Sequence, residues 1–216
     1  MGVEPDWIRA GLSMARFEPY LRQTNGDLPA AIALYWWNVS VSAAFYAPLH
    51  ILEVTLRNSL HEQLITHFHR ADWWDEPALL RRIGRQMVKD ARYKLEKRGR
   101  AASADDVVAE LPLGFWVSLV SSAYDRNLWV PCLHRAFPNY DGPRAPLHTE
   151  LDTIRMFRNR VMHHEPIHRR DLEADHQLIL RVLGYLSTEM VEQLKPYDRV
   201  PSVLGQRPAQ TGRGSD

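Results

Sequence analysis

A single cysteine, Cys132, leaves no partner for an intrachain disulfide, which excludes a disulfide-stapled scaffold and fits a reducing compartment. No stretch alternates with a strand period and no segment repeats, so sheet and solenoid architectures have nothing to build on. A formal net charge of +1 leaves out the global basic field that many nucleic-acid binders carry. Met1 to Arg22 has no signal-peptide core, because Glu4, Asp6, Arg9 and Arg16 interrupt its apolar residues, and the expected location is the cytoplasm. Only Leu28 to Leu52 is long, apolar and free of Lys, Arg, Asp and Glu. Asn38, Ser40, Ser42, Pro48 and His50 interrupt that run, so the expectation is a buried helix, or a helix pair broken near Pro48, and no membrane span.

What is present points to one helical domain. The 216 residues, 45% of them hydrophobic, suffice for one sizeable core and fall short of two. Helices are expected over Trp7 to Leu21, Leu28 to Ala47, Pro48 to Phe68, Asp75 to Gly99, one or two short ones over Phe115 to Ala136, then Leu147 to Glu165 and Asp171 to Leu194. Leu49, Leu52, Leu56, Leu60 and Leu64 recur every three or four positions as a core stripe, and Leu151, Ile154 and Phe157 do the same later. Ser103 and Asp106 have capping-box spacing, Asn25-Gly26-Asp27 reads as a turn, and Ala136 to Pro146, with three prolines, reads as a loop. The fold class is therefore all-α, with one domain over residues 1–205 and a disordered tail over 206–216, where almost nothing is apolar.

The chemistry concentrates in Arg158-Asn159-Arg160-Val161-Met162-His163-His164-Glu165-Pro166. Asn159 and His163, four apart, share a helix face, with Arg158 beside them on a longer arm. Pro166 should stop the helix near Glu165 and leave both histidines in its last turn. Metal-free RNA cleavage needs an acid or base for the ribose 2′-OH and the departing 5′ oxygen, and a cation on the phosphoryl oxygens. A histidine and an arginine supply these, and an asparagine can orient either. The same residues also suit a solvated helix end. Glu53 and Arg57, four apart on one helix, have the orientation of a local ion pair. The run Arg81, Arg82, Arg85, Lys89, Arg92, Lys94, Lys97, Arg98 and Arg100 is either a solvated face or a track for phosphates. His164 and His168 have helical metal-ligand spacing, but Pro166 falls between them, so no metal is expected.

Ile154 to Ile167, with Leu52-Glu53-Val54-Thr55-Leu56-Arg57-Asn58-Ser59-Leu60, Asp72-Trp73-Trp74 and Glu110-Leu111-Pro112-Leu113-Gly114-Phe115-Trp116, resembles the Abi-like (AbiD/AbiF-type) abortive-infection proteins of the HEPN superfamily. The resemblance spans roughly residues 28 to 190 and departs at Met162, where a small residue commonly precedes the His pair. It implies a HEPN-like bundle with additional helices, in which Arg158 and His163 occupy catalytic positions, Asn159 the intervening polar position, and His164 supports them. Glu53 and Arg57 match polar positions of the family's other central helix, which implies that they hydrogen-bond to the motif helix or line the cleft, or else form a half-buried ion pair fixing two helices. It also implies a metal-independent endoribonuclease acting as a phage-defence toxin on RNA, tRNA included, without a cofactor. A homodimer with two motif helices around one cleft, and an antitoxin or inhibitor as partner, follow from the same resemblance. A noncatalytic RNA- or nucleotide-binding sensor, or a purely partner-binding bundle, are the other functions this fold carries.

Overall fold

The computed structural model describes residues 6–99 and 103–209. The fold is all-α, with eleven α-helices and no strand among the described residues. They are α1 (Asp6–Gly11), α2 (Met14–Gln23), α3 (Leu28–Ala44), α4 (Tyr46–Phe68), α5 (Arg82–Lys97), α6 (Ala104–Glu110), α7 (Leu113–Leu119), α8 (Arg144–Met162), α9 (Leu172–Leu186), α10 (Thr188–Leu194) and α11 (Val200–Leu204).

The α4 helix is the hub, packed against α3, α7, α9, α10 and two 3-10 turns, Trp73–Asp75 and Leu133–Ala136. Its leucine stripe explains this position: Leu49, Leu52, Leu56, Leu60 and Leu64 are all buried. Each buried leucine contributes about 1.5–3 kcal/mol relative to exposure. The α8 helix packs against α7 and α9 through Leu147, Leu151, Ile154 and Phe157, all buried. The Asp72-Trp73-Trp74 and Leu113 to Trp116 segments meet in one aromatic cluster around His61. There the Trp73 indole N–H donates to His61 Nδ1 at 2.9 Å, and burial lowers the His61 pKa below its ordinary value. A neutral, Nε2-protonated ring satisfies that bond.

Several boundaries differ from the sequence expectation. The first helix is two, α1 and α2, because Ser13 adopts a left-handed φ of 63° between them. The break in the long apolar run falls at Phe45, not Pro48. Pro48 lies in the first turn of α4, where no helical N–H is required of it. The expected start at Asp75 gives way to α5 at Arg82, since Ala78 takes φ 59° and Arg81 donates its backbone N–H to the Tyr124 hydroxyl. The closing helix splits at Ser187, whose extended backbone ends α9 and whose Oγ caps α10 by accepting from Met190 N–H. Ser103 caps α6 as its spacing predicts, its Oγ accepting the Asp106 N–H at 3.1 Å.

Gln206 and Arg207, which the sequence assigns to the tail, are tied to the domain. They donate their N–H groups to Val203 and Leu204, and the Arg207 guanidinium lies over the Trp37 ring at 5.0 Å. Residues 210–216, and Arg100 of the basic run, lie outside the described residues.

Candidate functional site

The motif helix ends three residues before the sequence suggests. Its last helical residue is Met162, His163 is the C-cap, and His164 adopts the left-handed conformation, φ 57°. His164 N–H bonds Val161 O at 3.1 Å and Glu165 N–H bonds Arg160 O at 2.9 Å, the two bonds of a Schellman cap. This cap stops the helix, and Pro166 follows it. The Arg160–Glu165 ion pair, 3.6 Å, stands where the apolar contact of such caps is common. His163 N–H still donates to Asn159 O at 2.9 Å, so the expected Asn159–His163 face persists.

The site residues divide between two faces. Arg158 projects toward α4, where its Nε and Nη2 donate to Glu53 at 3.1 and 3.5 Å. The pair is half-buried, 30% and 22% exposed, enough shielding to hold the guanidinium in a defined direction. Five helical positions separate Arg158 from His163, about 140° of rotation at 100° per residue. His163 therefore faces away from Arg158, on an open face with Met156, Asn159 and Arg160, where Met156 is 51% exposed. Ideal helix geometry thus points Arg158 and His163 to different sides of α8.

Of the roles expected of Glu53, a bond to the motif helix forms and a local pair with Arg57 does not. The geometry of α4 sends Glu53 across to Arg158, while Arg57 donates to Asn58 Oδ1 at 3.4 Å. His164 and His168, which share metal-ligand spacing in the sequence, differ in placement: His164 is exposed in the cap and His168 is fully buried. Among the described residues no three His, Cys, Asp or Glu side chains gather around a metal-sized space. The basic run is partly neutralised: Arg92 pairs with Asp75, while Lys94 and Arg98 pair with Glu110. Arg81 and Arg85 donate to backbone carbonyls of Ala123 and Leu80. Arg82 and Lys89 remain exposed on α5. Cys132 is buried, donates to Leu128 O at 3.3 Å, and has its thiol pushed up to about 11 by burial, so it is an inert core group.

Sequence reasoning missed the residues that hold the motif's exit in place. Asn38 of α3, only 5% exposed, accepts the backbone N–H groups of Ile167 and His168 on its Oδ1 at 2.9 and 3.0 Å. His168 has both ring nitrogens buried without a hydrogen-bond partner among the described residues, and its ring packs on Tyr20 at 4.6 Å. Burial, reinforced by Arg169 and Arg207, lowers its pKa to about 4. Its carbonyl accepts from Arg207 at 2.8 Å. From α2, Arg16 and Arg169's acceptor Pro19 complete the clamp, Arg16 reaching His164 O at 3.4 Å. The signal was present in Asn38, a polar residue inside an otherwise apolar run, but its acceptor role depends on a segment 129 positions away. No family profile, curated protein or solved structure matches this chain.

Proposed function

We propose that the protein is a metal-independent endoribonuclease of the Abi-like HEPN type, acting as an abortive-infection toxin in phage defence. The observation that carries the reading is the half-buried Arg158, oriented by Glu53, on the same helix whose exposed C-cap is His163. Arg158 stabilises charge on the phosphoryl oxygens, and its Nη1 remains outside the two bonds to Glu53. His163 exchanges a proton with the 2′-OH or the 5′ oxygen, and Asn159, one turn earlier on the same face, orients it. His164 supports the pair by terminating the helix.

The splay between Arg158 and His163 favours a homodimer as the working form. Two copies apposed through the Met156, Asn159 and His163 face bring a pair of histidines into one cleft with both arginines at its sides. One histidine then serves as base and the other as acid. RNA, tRNA included, is the substrate, an antitoxin or inhibitor restrains the toxin, and the protein works in the cytoplasm.

The engagement of Arg158 by Glu53 favours a second reading, a noncatalytic RNA- or nucleotide-binding sensor, because a guanidinium already paired has less to give a transition state. His163→Ala separates the two. A nuclease loses turnover and keeps its RNA affinity, whereas a sensor shows no turnover in either form.

A further inference from the structure

Beside the motif lies an open cavity of about 680 Å³ between α1, α2, α3 and the end of α8. Its wall carries Tyr20, Tyr35, Tyr46, Arg16 and Asn38, with Ala43 and Met162 in its apolar part. No carboxylate lines it, so a cationic ligand finds no counter-charge and an anionic one finds Arg16. Asn38 is nearly all buried, its Oδ1 is spent on two backbone N–H groups, and its Nδ2 has no partner among the described residues. That leaves a preoriented donor at the cavity wall for a carbonyl or ring nitrogen. Tyr20 adds a second neutral donor: burial and neighbouring Tyr35 push its phenol up to about 12, against the opposing pull of Arg16.

The cavity also adjoins the candidate catalytic face. Met162, one turn beyond Arg158 on α8, forms part of its wall, and so does Tyr46. Tyr46 stacks on His50 at 5.6 Å, and His50 is three positions before Glu53, the partner of Arg158. Side chains at successive turns of α4 and α8 thus lead from the ion pair to the cavity.

We propose that this cavity is a nucleotide subsite, which seats one base of single-stranded RNA against the exposed Tyr46 and half-buried Tyr35 rings, with its phosphate at Arg16 and its polar edge at Asn38. Aromatic faces accept a base irrespective of sequence, the volume holds a nucleotide, and the polar groups are of the kind that fix its orientation. The proposal rests on the nuclease reading only for the place of the seated base, next to the phosphate handled by Arg158.

The test is titration calorimetry of the full-length protein with adenosine 5′-monophosphate and uridine 5′-monophosphate, for wild type, Ala43→Trp and Arg16→Gln. Ala43 is exposed and lines the cavity, so the larger ring fills the space without entering the core. Saturable binding to wild type, weakened about tenfold or more in both variants at unchanged melting temperature, is expected. In a His163→Ala background, Ala43→Trp should weaken a short oligoribonucleotide by a similar factor. Nucleotide binding without RNA cleavage leaves the subsite standing and removes the nuclease. Cleavage with no mononucleotide binding, or with binding unchanged by Ala43→Trp, overturns the subsite. A change of oligomeric state in Ala43→Trp without nucleotide binding assigns the cavity to a protein contact and overturns it as well.

Discussion

Arg158 of α8 and Glu53 of α4 are 105 positions apart in sequence and joined by two hydrogen bonds, 3.1 and 3.5 Å, across a half-buried seam. The pair orients the guanidinium and ties the motif helix to the hub. Glu53→Gln keeps the shape and removes the charge, so it should cost about 1 kcal/mol in urea unfolding, and Glu53→Ala about 1–2 kcal/mol. Glu53→Gln should lower RNA cleavage by raising KM, at a melting temperature lowered by only about 2–4 °C, because Arg158 loses its fixed direction. Unchanged cleavage in Glu53→Gln would make the pair a structural tie alone.

Asn38 holds the chain that leaves the motif. Asn38→Leu strands the N–H groups of Ile167 and His168, both inside the protein, so a loss of about 2–3 kcal/mol is expected from two unsatisfied buried donors. Hydrogen exchange should show the Ile167 and His168 amides opening in the variant. A loss within a few tenths of a kcal/mol would mean that the segment is held by Arg207 and Tyr20 instead.

His168 makes stability depend on pH. Its pKa is held at about 4 in the folded chain, below the ordinary histidine value, so the unfolded chain binds more protons in between. Stability is therefore full above about 6.5 and falls as pH drops toward 4, by an amount on the order of 3 kcal/mol from this group, with His61 acting in the same direction. His168→Leu should flatten that part of the curve in urea titrations at stepped pH. A variant with the wild-type slope would place the acid sensitivity elsewhere.

His164 sits at φ 57°, a conformation that costs a non-glycine residue about 1–2 kcal/mol. His164→Gly should raise stability by roughly 0.5–1 kcal/mol, and His164→Val should lower it. Because the role assigned to His164 is to end the helix, His164→Gly should retain cleavage that His163→Ala abolishes. Equal loss in both variants would move His164 into the chemistry.

The core was legible where periodicity speaks directly. The five leucines of α4, and Leu151, Ile154 and Phe157 of α8, are buried as their spacing predicts. The Ser103 cap is local and was equally readable. The break expected near Pro48 is present three residues earlier, at Phe45, whereas helix breaks at Ser13, Ala78 and Ser187 were not legible, because each depends on a backbone conformation or a distant partner that propensity does not encode. In the site, Asn159 and His163 keep their shared face, whereas the Glu53–Arg57 pairing gave way to Glu53–Arg158. Sequence spacing identifies which partners a helix offers, and tertiary packing chooses among them. Asn38, Arg16 and the tyrosine-lined cavity became visible only once α2 and α3 were set against the end of α8.

The measurement that bears most directly on the central claim is cleavage of total RNA and tRNA by the purified protein in EDTA, with Arg158→Ala and His163→Ala beside the wild type. The account predicts products ending in 2′,3′-cyclic phosphate from the wild type and intact RNA from both folded variants. Intact RNA from the wild type, or equal cleavage by all three proteins, would contradict it.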